Sequence, residues 1–224
     1  MVDATYLKVR VDHRIRPMAL MIAMGMTRDA MKELIGFRLK ACESRETWGR
    51  FLSSLHARGL SGSSMSFSDA HEGLVLALQE VYPDVPWQRF QAHFSRNVSD
   101  AAPKRLRACL CLELMEMFNC ATLKEARAHR DEIAAEAPEA LARLDAGFKD
   151  AMTLMALPLA TRSCTRTSNY LERLNVKVKR RAKVIGVFLS KGSLIRLVGT
   201  YLIEENDRWA AKSKQYWLPA VEEL

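Results

Sequence analysis

Tyr6-Leu7-Lys8-Val9-Arg10, Asp12-His13-Arg14 and Met18-Ala19-Leu20-Met21-Ile22-Ala23-Met24 decide the fold between them. The first segment is short and β-prone, and the polar triplet after it reads as a turn. The apolar run, extended to Pro17–Met26, falls well short of the roughly 20 residues of a membrane-spanning helix. Its length suits a strand buried on both faces. Leu34-Ile35-Gly36-Phe37-Arg38-Leu39 supplies a third strand. Trp48, Phe51, Leu52 and Leu55 then recur at helical spacing behind Ser44, a plausible N-cap, and Gly59 ends that helix. The opening order is therefore strand, strand, strand, helix, the start of an α/β domain.

Working outward, Met65-Ser66-Phe67-Ser68-Asp69 alternates as a fourth strand, a helix is expected from Ala70 to about Val81, and Val85–Phe94 is expected as a fifth strand. From Pro103 to about Leu157 strand signals vanish and three amphipathic helices fit, punctuated by Pro138 and Pro158. Two last helices follow, one from Asn169 and one through Ser193 to Asp207. The domain expectation is a first part of the core over 1–100, an all-helical insertion over 101–160, and C-terminal helices completing the core over 161–224.

The 224 residues, 49% hydrophobic and 27% charged, suit a globular protein. Five cysteines without framework spacing read as reduced thiols, as in a cytoplasmic protein. Charge is unevenly placed. Between Arg162 and Arg196 there are ten Lys or Arg and one acid, Glu172, a net +9; the whole chain is +8, so everything else sums to −1. A phosphate-binding surface concentrates cations in this way. Arg173, Lys177 and Arg180 recur at 3–4 residue spacing, with Arg181 beside them and Lys179 and Lys183 on a neighbouring face. Arg162 and Arg166, just before the lone acid, lie within reach of the same phosphates. Such residues would position a phosphate backbone without reading its sequence; the plainer reading is a solvated helix face.

Three acids stand out. Asp3 belongs to the first strand, Asp69 ends the fourth and opens a helix, and Glu172 heads the basic helix. Brought together, they could hold two Mg²⁺ ions, because hard cations take carboxylate oxygens. Each also has a plainer reading. Asp69 and Glu72 have the spacing of a capping box, as do Asn169 and Glu172, and an acid near a terminus is ordinarily just exposed. Spacing alone favours capping for Asp69 and Glu172.

Longer stretches carry more information. Val2-Asp3-Ala4-Thr5-Tyr6-Leu7-Lys8-Val9-Arg10, Ser68-Asp69-Ala70-His71-Glu72-Gly73-Leu74, Gln88-Arg89-Phe90-Gln91-Ala92-His93-Phe94-Ser95-Arg96-Asn97 and Thr167-Ser168-Asn169-Tyr170-Leu171-Glu172-Arg173-Leu174-Asn175 resemble the mutator-type transposases of bacterial insertion sequences. So do Arg180–Phe188 and Glu204-Glu205-Asn206-Asp207-Arg208-Trp209, in family order and nearly end to end. The resemblance implies a ribonuclease-H-like core, with its first strand central and a helical insertion before the last acid. It implies a DDE triad of Asp3, Asp69 and Glu172 holding two Mg²⁺ (Mn²⁺ as a substitute), and DNA as the partner at element ends and target. It also implies a homo-oligomer in the bacterial cytoplasm, associated with the nucleoid and not with a membrane.

Two departures qualify it. The family usually has Cys or Asp three residues before the fifth-strand His; here Phe90 precedes His93, which reduces His93 to an accessory residue. Family members also carry a long region before the first catalytic Asp, so the chain reads as N-terminally truncated, with Asp3 loosely held. The competing expectation is an inactive remnant that binds only DNA or a full-length transposase subunit.

Overall fold

The computed structural model describes residues 1–27, 29–134, 137–158, 161–162 and 169–212. They divide into two compact units. The first takes the described residues of Met1–Ser66, His71–Val85 and Asn169–Leu224; the second takes those of Phe67–Ala70 and Pro86–Ser168.

The first unit is built on an antiparallel sheet of β1 (Val2–Val11), β2 (Arg14–Met26) and β3 (Lys32–Lys40), in that order. The β1–β2 turn at Asp12-His13 has positive φ at both residues, 49° and 61°, as a tight two-residue hairpin connection requires. β2 is buried without a break from Met18 to Met24, so it is apolar on both faces. Burying each of its large side chains is worth roughly 1.5–3 kcal/mol. The central strand of this sheet is thus β2, not β1 as the resemblance implied. β1 has an outer edge, on which the Arg10 N–H donates to the Phe188 carbonyl at 2.8 Å and the Phe188 N–H donates to the Lys8 carbonyl at 3.0 Å, forming a parallel Val9–Phe188 bridge.

Asp3, expected to be loosely held, lies on a paired strand. β1 pairs with β2 in continuous register from Val2↔Ala23 to Val11↔Arg14, and the Met24 N–H donates to the Met1 carbonyl at 3.0 Å. Asp3 therefore sits in a fully bonded ladder, opposite Ile22.

Helix α1 (Arg45–Ala57) starts at the expected cap: Ser44 Oγ accepts from Thr47 N–H at 3.2 Å and Thr47 Oγ1 accepts from Ser44 N–H at 2.9 Å. α2 (Glu72–Val81) packs its start against the start of α1 so closely that a Cβ on Gly73 would lie 2.7 Å from the Arg45 nitrogen. The unit closes with two helices, α7 (Asn169–Ile185) and α8 (Lys191–Lys212).

In the second unit a two-stranded sheet, β4 (Ser66–Ser68) with β5 (Trp87–Arg89), meets α3 (Gln91–Asp100), α4 (Arg107–Asn119), α5 (Leu123–Ala134), α6 (Pro138–Ala151) and a 3₁₀ turn, Thr153–Ala156. The helical block over Pro103–Leu157 is as expected. The fifth strand is not: it stops at Arg89, and the rest of Val85–Phe94 belongs to α3. Gln91, Phe94 and Val98 are buried at steps of three and four, and Phe94 and Val98 enter a core with Leu114, Met117, Ala140 and Leu144; a helix puts all three on one face, whereas a strand would turn Gln91 and Phe94 to opposite faces.

Candidate active site and basic helix

Asp3 is half-buried on β1, and both of its carboxylate oxygens are engaged. Oδ1 accepts from the Ala4 N–H at 2.9 Å, and Oδ2 accepts from Asn175 Nδ2 at 2.7 Å. Asn175 lies on α7 one turn after Glu172, on the same side of the helix at 3.6 residues per turn. The structure thus brings β1 and the Glu172 end of α7 together through a bond between residues 172 positions apart. Asn175 was not singled out from the sequence, though its place three residues beyond Glu172 was a usable signal. It is only 6% exposed, and its Oδ1 is buried without a hydrogen-bond partner; Thr5 Oγ1, on the face of β1 that Asp3 shares, is in the same state.

The start of α7 is fixed by a second contact. Lys32 of β3 is buried, with Nζ 3.2 Å from the centroid of the Tyr170 ring and 5.9 Å from that of Trp209. A cation over an aromatic face is attracted by the ring quadrupole, the more so when desolvated.

Asp69 belongs to the second unit. The capping reading for it fails, because the N-cap of α2 is His71 and that cap receives no side-chain hydrogen bond. Glu72 is the first helical residue instead of the third. Around Asp69 the backbone is pinned: Ser68 Oγ donates to the Asp69 carbonyl at 2.7 Å and accepts from Trp87 Nε1 at 2.9 Å, while the Phe90 N–H donates to the Ser68 carbonyl at 2.7 Å. Burial lowers the pKa of nearby Arg89, against the opposing pull of Asp150 and Asp69, and its guanidinium stacks 4.4 Å from the Phe94 ring.

His93 is half-buried with its ring edge-on to buried Phe90, centroids 5.8 Å apart. The neighbouring glutamines staple the second unit. Gln88 and Gln91 both donate to the Ala151 carbonyl, at 2.8 and 2.7 Å, and Gln88 Oε1 accepts from the Leu154 N–H.

The basic helix divides by face. Leu171, Leu174, Val178 and Ala182 are buried. Lys177 and Arg181, expected to contact phosphate, pair with α8: Lys177 Nζ is 2.9 Å from Glu205 and Arg181 is 3.8 Å from Glu204. Glu205 is buried. Burial alone would raise its pKa, but hydrogen bonding to Lys177 and the charges of Lys177 and Arg208 bring it below the usual carboxylate range. Arg173, Lys179, Arg180 and Lys183 are exposed and, among the described residues, in no ion pair. Lys179 and Lys183 stand seven and eleven residues past Glu172, two and three turns along its own face. Arg162 is placed differently from the expectation: its Nε, Nη1 and Nη2 donate to the carbonyls of Leu157, Ala121 and Met155 at 2.8–2.9 Å. Arg166 lies outside the described residues.

Among the described residues no group of three or more His, Cys, Asp or Glu is gathered as a ready metal cage. The Asp3 and Glu172 carboxylates supply the oxygen donors that a hard divalent cation takes. No helix among the described residues is long and apolar enough to cross a membrane.

Comparison with known proteins makes the family explicit. Residues 1–212 match the profile of Transposase, Mutator family, and the chain belongs to that family. It is 35% identical over 222 residues to the transposase for insertion sequence element IS256 in transposon Tn4001 of Staphylococcus aureus, covering 96% of this chain and 57% of that protein. It is 34% identical to the transposase for element IS406 of Burkholderia multivorans, over 92% of this chain and 55% of that protein. To the transposase for element IS1081 of Mycobacterium tuberculosis it is 33% identical, over 92% and 51%. The chain thus spans between half and three-fifths of the length of these relatives.

Proposed function

We propose that this chain is the catalytic part of an insertion-sequence transposase, with a ribonuclease-H-like core that cleaves DNA at element ends and transfers the freed strand into target DNA, working as a homo-oligomer. The observation that carries this reading is the Asn175–Asp3 bond, which joins the β1 acid to the helix of Glu172 at the head of a cationic stripe. Asp3 and Glu172, with Asp69 from the second unit as third member, would hold the metal ions. Bound Mg²⁺ would polarise the scissile phosphate and lower the pKa of the attacking oxygen.

The remaining chemistry falls to the chain's own groups. The β ladder and the Ala4 N–H hold the Asp3 carboxylate toward α7. Lys179 and Lys183 bind phosphates along the face that begins at Glu172, and Arg173 and Arg180 extend that contact. Each neutralised phosphate releases counterions, so binding is expected to weaken steeply with salt.

The test is nicking of a supercoiled plasmid by the purified chain with Mg²⁺ or Mn²⁺. Glu172→Ala is expected to abolish nicking while leaving salt-sensitive DNA retention within about twofold. Nicking that survives Glu172→Ala removes Glu172 from the site. A wild-type chain that retains DNA and never nicks it supports the competing reading, a protein that only binds DNA or another transposase subunit.

A further inference from the structure

We propose that Asn175 is a positioning residue that sets the orientation of the Asp3 carboxylate and the spacing between β1 and the Glu172 turn of α7. The inference rests on the reading of Asp3 and Glu172 as metal-binding acids and adds a residue to it. Asn175 is buried, donates 2.7 Å to Asp3 Oδ2, and leaves its own Oδ1 buried and unpartnered. A residue serving only to pack that spot would be apolar, because an orphaned buried amide oxygen is unfavourable. What the carboxamide adds is a donor aimed at the carboxylate. The opposite amide orientation would set oxygen against oxygen, so the hydrogen bond fixes the assignment.

The donor's neutrality matters as much as its place. Lys or Arg at 175 would also hold Asp3, but would cancel the negative charge that a cation needs. An amide holds the carboxylate while leaving that charge in place. With the Ala4 N–H on Oδ1 and Asn175 on Oδ2, each oxygen has its own fixed donor and the plane of the carboxylate is set. Metal sites depend on such outer contacts, whose removal typically weakens affinity 10–100-fold.

The probe is Mn²⁺ alone, titrated calorimetrically into the purified chain, with thermal unfolding of the metal-free protein followed against pH. Asn175→Ala is expected to weaken Mn²⁺ binding about tenfold or more with β1–β2 amide protection from exchange retained. Asn175→Asp keeps the shape and carries the test if the alanine variant does not fold. It sets two carboxylates together, so one titrates at raised pH. Metal-free Asn175→Asp should then lose Tm as pH rises through that raised value, where wild type does not. Adding Asp3→Asn, which restores a donor–acceptor pair, should remove the loss.

Wild-type Mn²⁺ affinity retained in Asn175→Ala, or a flat pH profile in Asn175→Asp, overturns the positioning role while leaving the metal reading intact. A wild-type chain that binds no Mn²⁺, with the pH signature present, sinks the metal reading and keeps the Asp3–Asn175 coupling.

Discussion

Arg162 donates from all three guanidinium nitrogens to the carbonyls of Leu157, Ala121 and Met155, and so closes the 3₁₀ turn onto the start of α5. A side chain committed in that way has little freedom to follow a phosphate, whatever its charge. Removing it leaves part-buried carbonyls without partners, at about 1–3 kcal/mol in total. Arg162→Ala is therefore expected to lower the unfolding free energy measured in urea by that amount and to leave the slope of DNA affinity against salt unchanged. A fall in that slope by one would return Arg162 to the DNA surface. From the sequence alone Arg162 and Lys179 are equivalent cations in one basic window; only the surroundings of each separate anchor from contact.

Among the elements, those carried by long, consistent patterns were legible. β2 shows as an apolar run, α1 as a capped helix with four apolar residues on one face, and the helical block through its loss of strand signals. The failures have local causes. Val85–Phe94 is short and rich in aromatic residues, as a strand can be, and only the burial of Gln91, Phe94 and Val98 at steps of three and four shows the helix. Asp69 and Glu72 have capping-box spacing, yet two loop residues intervene and His71 takes the cap. Two of the three acids were placed on β1 and α7 from sequence, but Asn175 acts on a strand 172 residues away, a separation over which spacing says nothing. The pairing of α7 with α8 was equally hidden, and it predicts a pH response. Because the folded-state pKa of Glu205 is depressed, its stabilisation is present above the unfolded carboxylate pKa and lost as pH falls through the folded value. Glu205→Gln should cost about 1–3 kcal/mol at neutral pH, discounted because Lys177 and Arg208 remain half-exposed. It should also flatten the acid limb of the Tm profile. An unchanged acid limb would mean that Glu205 is not the titrating group.

At the scale of the whole molecule, the charge asymmetry acquires a direction. The residues outside Arg162–Arg196 sum to −1, so the chain's net positive charge lies in that window. Within it, Lys177 and Arg181 are turned into ion pairs with α8, Arg162 is anchored on carbonyls, and Lys179 and Lys183 continue the face of Glu172. Binding should then be carried by few cations, and the slope of log affinity against log salt counts them at roughly 0.9 per phosphate. Lys179→Gln and Lys183→Gln should each reduce the slope by about one and weaken binding similarly on every sequence. Lys177→Gln, which removes the partner of a buried carboxylate, should lower Tm and leave the slope alone. Measuring all three variants by filter binding across a salt series separates the two faces of α7. A slope that falls equally for Lys177 and Lys179 would mean that DNA wraps the helix on both sides, and that the α8 pairing opens when DNA binds.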